Sequence, residues 1–473
     1  MTARSRLMVS KTSHDTGMNQ IESPEANDKL DLSPVPPNDF TSGISAESGT
    51  ENRENSTTNS YGEATSEPSG NDSEETPSDE RGKAALTLTY IGVFLFCAAY
   101  FFRPQDYIAA LASIPLGKIT AGIAGLSLLL ALFSGAIRLR TELKWLLALF
   151  GWLILCIPFS SWRGGSFHVV ILGFGRILFV AIAASAAVNS WGRLRRLMAL
   201  QTLAMLAMAV LAFGAERRSG RMYGTGNMFS DPNDFALQLC IVLPFCVALL
   251  RTSTSWIGKF WWFASIFMVL AAIVSTYSRG GFIALIATLF FIWRRFKPSL
   301  SVVLPFLVLT LVIATAFIGS RANSYIARIA TIANPSTDPT GSAQGRKEIL
   351  IESLRQTALH PVFGVGPGEF AEVAGHWHET HNTYTQLSAE AGLPALLLFL
   401  VFLRSGFRRL REVRKGGAPE EGALAAALRC SLAAYAVGAF FLPATYWLTP
   451  YLLVAYAAGA FGAGEQSNGM MES

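Results

Sequence analysis

Apolar runs of membrane-crossing length, separated by short polar connections, constrain this chain more than any other feature. About 20 consecutive apolar residues cross a bilayer core as a helix, and a lipid-exposed segment there must satisfy its own backbone hydrogen bonds. Such runs occupy 84–102, 119–137, 145–159, 167–188, 197–214, 235–251, 260–277, 281–293, 300–318, 383–403, 423–443 and 447–463. The third and eighth are short. The pattern predicts an all-α polytopic membrane protein of about 12 transmembrane helices within 84–463. With 51% hydrophobic and 15% charged residues, the chain is too apolar for separate soluble domains.

Charge is distributed unevenly. Residues 1–83 carry 16 acidic and 7 basic groups and are rich in Ser, Thr, Glu, Asn, Pro and Gly. That composition buries too little apolar surface to offset its ordering entropy, so a disordered acidic tail is expected. The first apolar run starts far from the N-terminus and is followed by others, so it reads as an anchor and not a signal peptide. Beyond residue 83 the chain is basic, and its Lys and Arg fall in alternate connections. One set holds Arg81 and Lys83; Arg138, Arg140 and Lys144; Arg193, Arg195 and Arg196; Arg251 and Lys259; Arg294, Arg295 and Lys297; and a cluster from Arg404 to Lys415. Basic connections stay in the cytoplasm, which places both termini there, including a short tail at 464–473. The basic balance is therefore topology and not a nucleic-acid footprint. The opposite set, with the 64-residue segment 319–382, then faces outward between helices 9 and 10. Within it, 344–359 reads as an amphipathic helix with Ile349, Leu350, Leu354 and Leu359 on one side.

Polar residues able to do chemistry gather in the outward connections. Ser278-Arg279-Gly280-Gly281 forms a tight turn at the start of a helix read as 281–293, only about 20 Å long against a core of about 30 Å, so the turn is expected below the outer surface. A helix N-terminus beside a guanidinium suits an anion, and Arg279 is a candidate phosphate ligand; the alternative is an interfacial arginine that reaches the headgroups. The segment 220–234 carries Arg217, Arg218 and Arg221, then Asp231-Pro232-Asn233-Asp234. Asn233 or Asp234 is expected to cap the span beginning at Phe235. Arg221 stands out because outward loops need no positive charge for topology. Arg346 opens the loop helix, where an arginine is more often simply solvated.

Four of six histidines, His360, His376, His378 and His381, cluster before the tenth span. Their spacing is a weak metal signature, whereas one imidazole titrating near neutrality can serve as a general base. Gly364-Val365-Gly366-Pro367-Gly368 has no preceding strand and reads as a turn that re-aims the loop, not a nucleotide cradle. The five cysteines lie inside apolar runs and read as packing residues.

From about 200 to 460 the order of these pieces resembles the O-antigen ligase and O-antigen polymerase family of bacterial membrane glycosyltransferases. The resemblance rests on 231–234, SRGG at 278–281, the Arg346 helix start and HPVFGVGPGEF at 360–370. It ends with His381-Asn382, nine residues, then Gly392-Leu393-Pro394-Ala395. Ala395 stands where ligase members usually have a second glycine, a departure that bears on the choice between ligase and polymerase. The resemblance implies a metal-independent enzyme without cofactors in the cytoplasmic membrane, its active site periplasmic. The donor would be a glycan on an undecaprenyl-pyrophosphate carrier, and the acceptor lipid A-core or another glycan. On that reading His381 is the general base and Asn382 orients it or the sugar. Arg279, Arg346 and Arg221 hold the pyrophosphate, and direct attack inverts the anomeric carbon. A transporter for anionic lipid-linked sugar is the competing class, although repeated halves with broken helices are not evident.

Overall fold

The computed structural model describes residues 77–473 except 134, 136, 138–139, 216, 218–219, 225–228, 299–307, 309–340, 376–378, 414–417 and 470–473; for 77–79, 413 and 461–469 it describes backbone alone. Residues 1–76 of the acidic tail, the expected span 300–318 apart from Val308, and the first part of the long loop lie outside the described residues; 77–83, expected in the disordered tail, instead form the first turns of a helix, Pro77–Phe102.

Every regular element described is helical. In chain order these are α1 (Pro77–Phe102), α2 (Leu116–Phe133), α3 (Thr141–Cys156), α4 (Arg163–Phe167), α5 (Gly175–Ala187), α6 (Trp191–Gly214), α7 (Pro232–Thr252), α8 (Trp256–Ser275) and α9 (Arg279–Phe296). After them come α10 (Ser342–Leu359), the short α11 (Phe370–Val373), α12 (Thr383–Val413), α13 (Pro419–Gly438) and α14 (Leu448–Gly469), with 3-10 turns between some of them. A π-helical stretch, His168–Phe174, joins α4 to α5 into one rod. Eight helices are long and apolar enough to cross a membrane, and a shorter apolar helix covers Leu448–Ala460. Helices occupy the other eleven expected positions, but the count of twelve is not reached among the described residues.

One boundary differs with consequence. The eighth run, read as 13 short residues, is an 18-residue helix from Arg279 to Phe296. At 1.5 Å per residue it is about 27 Å long, so helix length gives no reason to sink the SRGG turn below the surface.

Side-chain hydrogen bonds fix which helix ends lie together. At one end, Arg193 donates to the Leu86 carbonyl and to Thr87 Oγ1, joining α6 to α1. Arg195 donates to the Thr252 carbonyl at 3.2 Å, joining α6 to α7, and Arg251 donates to the Phe296 carbonyl at 3.0 Å, joining α7 to α9. Arg409 Nε donates to Glu142 Oε1 at 2.8 Å, a nearly buried ion pair between α12 and α3. The basic turns thus share one end of the bundle. The described residues of the alternate set of connections gather at the other.

Between the ends the core is apolar, with α7 and α13 near its centre; Tyr435, Tyr451 and Tyr456 are fully buried. Polar groups inside a bilayer need partners, and several pairs here supply them. Gln201 donates to the Tyr456 hydroxyl at 2.6 Å, Thr449 to Gln238 at 3.0 Å, and Ser431 to the Ile241 carbonyl at 2.6 Å. All five cysteines are free and buried, as their setting in apolar runs suggested.

Candidate active site

Three polar segments meet at the end of the bundle away from the basic turns. The first is the SRGG turn. Ser278 caps α9: its hydroxyl accepts the Gly281 N–H at 2.9 Å and donates to Asn233 Oδ1 at 2.6 Å. Arg279 occupies the first helical position and is half-buried. Gly280 lies flat against Phe441, and Gly281 against Ala236, so neither position has room for a side chain.

The second is the start of α7. Here the cap is Asp231, whose carboxylate accepts the Asn233 N–H at 2.6 Å, with Pro232 at the first helical position. The expectation that Asn233 or Asp234 caps this helix is therefore corrected. Proline fits that position because its missing N–H would be unsatisfied there in any case. Asn233 is left to serve the neighbouring turn: it accepts from Ser278 and, at 3.1 Å, from Arg221 Nη2. Arg221 Nε also donates to the Thr276 carbonyl at 3.1 Å. Arg221 thus ties the 220–224 loop to both helix ends that flank Arg279.

The third is the His381-Asn382 turn. Asn382 Oδ1 accepts the N–H groups of Tyr384 at 2.9 Å and Thr385 at 3.2 Å, which makes Asn382 the cap of α12. His381 precedes it in the left-handed region at φ 49°, a conformation uncommon for a residue with a side chain. Thr383 then binds the connection between α13 and α14. Its N–H donates to the Ala439 carbonyl at 2.8 Å and its hydroxyl to the Leu442 carbonyl at 2.7 Å, while that hydroxyl accepts the Ala444 N–H at 3.0 Å. The same connection supplies Phe441 to Gly280. Arg279 and His381 therefore stand on two turns that grip one short segment, 439–445.

Behind this site α12 is broken. Gly392 has φ 78° and ψ 173°, and a side chain there would strike the Val362 carbonyl. A break frees carbonyls that must find new donors. Val365 N–H donates to Ala389 at 2.9 Å, Gly366 N–H to Glu390 at 2.9 Å, and the Trp152 indole to Ala391 at 2.9 Å; Leu393 N–H returns to the Pro361 carbonyl at 2.8 Å. The GVGPG segment is thus a docked turn, as expected. Ala395 is fully buried beyond the break.

Sequence reasoning passed over two buried acids here. Glu390 accepts from Gly368 N–H at 2.9 Å and from the Tyr446 hydroxyl at 2.6 Å, linking the glycine turn to the 439–447 connection. An acid within an apolar helix was the signal that could have revealed it. Glu369 is buried beside Gly165, and burial together with nearby Glu372 pushes its carboxyl up to about 7.

The loop helix α10 corrects another expectation. Its packed face is Ile349, Ser353 and Gln356, whereas Leu350, Leu354 and Leu359 are exposed. Ile349 packs with Phe370 and Ala389, and the hydroxyls of Thr357 and Ser388 lie 2.9 Å apart, which seats α10 along the first turns of α12. Arg346 is one turn before Ile349 on the same side and is half-buried. His376 and His378 lie outside the described residues, and His360 is exposed at the end of α10.

Taken together, the architecture is that of a polytopic helical membrane protein with a polar site at one end, built from helix N-termini, arginine and histidine. The family described as O-antigen ligase matches residues 263–400, a stretch holding Arg279, Arg346, His381, Asn382 and Gly392. The resemblance drawn from the sequence is thus matched over that stretch. No curated protein matches the chain.

Proposed function

We propose that the protein transfers a glycan from an undecaprenyl-pyrophosphate carrier to an acceptor hydroxyl, lipid A-core or another glycan, at the outer face of the cytoplasmic membrane. The observation that carries this reading is the seating of the SRGG and His381-Asn382 turns on one segment, 439–445, within a chain whose 263–400 stretch matches the O-antigen ligase family.

The chemistry needs two things. A dianionic leaving group must be held, and a hydroxyl must lose a proton as it attacks. Arg279 at the α9 N-terminus takes the first task, with Arg346 as its partner, because guanidinium forks match phosphate oxygens. Arg221 adds charge beside them while its hydrogen bonds hold the Arg279 turn in place. His381 takes the second task. The acceptor O–H proton passes to its imidazole, the oxygen bonds to the anomeric carbon, and the carbon–oxygen bond to the lipid pyrophosphate breaks with inversion. Asn382 sets the direction of His381 by capping the helix that follows. The basic turns lie in the cytoplasm on this reading, and both termini lie there with them.

The test is reconstitution of the purified protein in vesicles with a lipid-linked glycan donor and an acceptor. Wild type should form new glycosidic bonds. His381→Ala should lose about 10²–10⁴-fold in rate, the range a positioned base supplies. Redistribution of donor across the bilayer without new bonds would instead identify a transporter. Product chemistry separates the two transferase outcomes: glycan on lipid A-core marks a ligase, and a lengthened lipid-linked glycan marks a polymerase.

A further inference from the structure

The loop helix α10 exposes an apolar stripe on the side away from the bundle. At 3.6 residues per turn, Leu350, Leu354, Ala358 and Ile351 fall within an arc of about 100°. The packed residues Ile349, Ser353 and Gln356 lie on the far side of the helix. Ile351 is 56% exposed and Leu354 52%. Isoleucine and leucine side by side in water forgo the gain that burial brings. A stripe of them therefore wants a cover.

Two further observations say what the cover is. Just past the helix, exposed Val362 lies beside exposed Leu393, which leads on to exposed Leu397 on α12. Val362 and Leu393 are neighbours because the Leu393 N–H donates to Pro361 and Gly392 abuts the Val362 carbonyl. Both leucines belong to the candidate membrane span Thr383–Glu412, and Leu397 is on its exposed flank. The level is fixed independently by aromatic rings. Phe159 and Trp162, at the end of the α3 span, are exposed as rings at a membrane–water boundary are. Phe363 stacks on Phe159 with centroids 4.1 Å apart and 12° between planes, so the residues just after α10 sit at that level.

We propose that α10 is an interfacial helix, lying on the bilayer surface at the site's end of the molecule with Leu350, Ile351 and Leu354 among the acyl chains. Lys347 projects from within the stripe, where its stem reaches back to the headgroups. Arg355 and Glu352 pair on the helix flank at 3.3 Å, on the water side. Its other face holds the start of α12, so the His381 turn is referenced to the membrane surface by a helix that touches both.

The experiment uses the full chain in phosphatidylethanolamine–phosphatidylglycerol vesicles. Ile351→Cys, Leu354→Cys and Glu348→Cys are labelled singly with an environment-sensitive fluorophore; the native cysteines are buried. Brominated phospholipid should quench positions 351 and 354 at least about threefold more than position 348, with aqueous iodide giving the reverse order, as for a helix bound by one apolar face. Iodide quenching of 351 and 354 equal to that of 348 would overturn the proposal. So would protection of both positions from both quenchers, which would mean that protein covers the stripe.

Discussion

At the residue scale the candidate site separates side chains that hold the turns from those left to act. Asn382, Asp231 and Ser278 are helix caps, each accepting backbone N–H groups. Replacing such a cap by alanine costs about 1 kcal/mol, and Ser278→Ala also removes the donor to Asn233. Ser278→Ala should therefore lower the thermal midpoint in detergent, with Ser278→Thr recovering most of the loss. Arg279→Lys should lose most transfer without changing that midpoint, because an ammonium lacks the planar fork. The ordered residues SRGG and His-Asn-nine-Gly were legible in the sequence because each is a contiguous motif. The cap was placed two or three residues past Asp231, since Asp-Pro-Asn-Asp offers three cap-competent side chains and only geometry selects among them. Glu369 gives a pH-dependent prediction. Its folded carboxyl titrates near 7, above the ordinary value of about 4.3. The folded state then binds the proton more tightly, so this contribution is present at low pH and is lost as pH rises through 7. The thermal midpoint should fall between about pH 4 and pH 7, and Glu369→Gln should flatten that part of the profile and raise the midpoint at pH 8.

At the element scale the broken helix α12 organises the site. Its first turns carry His381's cap and receive α10 and the GVGPG turn, and its remainder returns to apolar packing. Gly392 permits the break, and a methyl group there meets both a strained φ and the Val362 carbonyl. Gly392→Ala should cost well over 1 kcal/mol, read as a lower midpoint or failure to accumulate in the membrane. The apolar runs announced the helices, but not where α12 breaks, because Leu393-Pro394 continues the hydropathy pattern without interruption. The same limit explains α10. Sequence periodicity showed that Leu350 and Leu354 share a side, yet could not say whether that side meets protein or lipid. The connection 439–445 was unreadable for a different reason: its role comes from main-chain carbonyls, which any sequence supplies.

At the scale of the whole molecule, hydrogen bonds between turns sort the helix ends into a basic end and a site end. The alternation of Lys and Arg along the chain foretold that sorting, because topology is written in charge between spans. Thiol reagents that cannot cross membranes test the orientation proposed above. In intact cells a cysteine placed at exposed Ser113, at the site end, should react, whereas one placed at exposed Thr254 should react only after permeabilisation. The reverse order would turn the molecule over. The buried Glu142–Arg409 pair sits at the far end of α12 from His381, with the Gly392 interruption between them. Hydrogen bonds to the carbonyls of Ala389, Glu390 and Ala391 anchor the upper half separately from the lower one, so inserting one residue after Leu397 should turn the lower half by about 100°, break the Arg409–Glu142 pair and lower the thermal midpoint while the upper half keeps its seat.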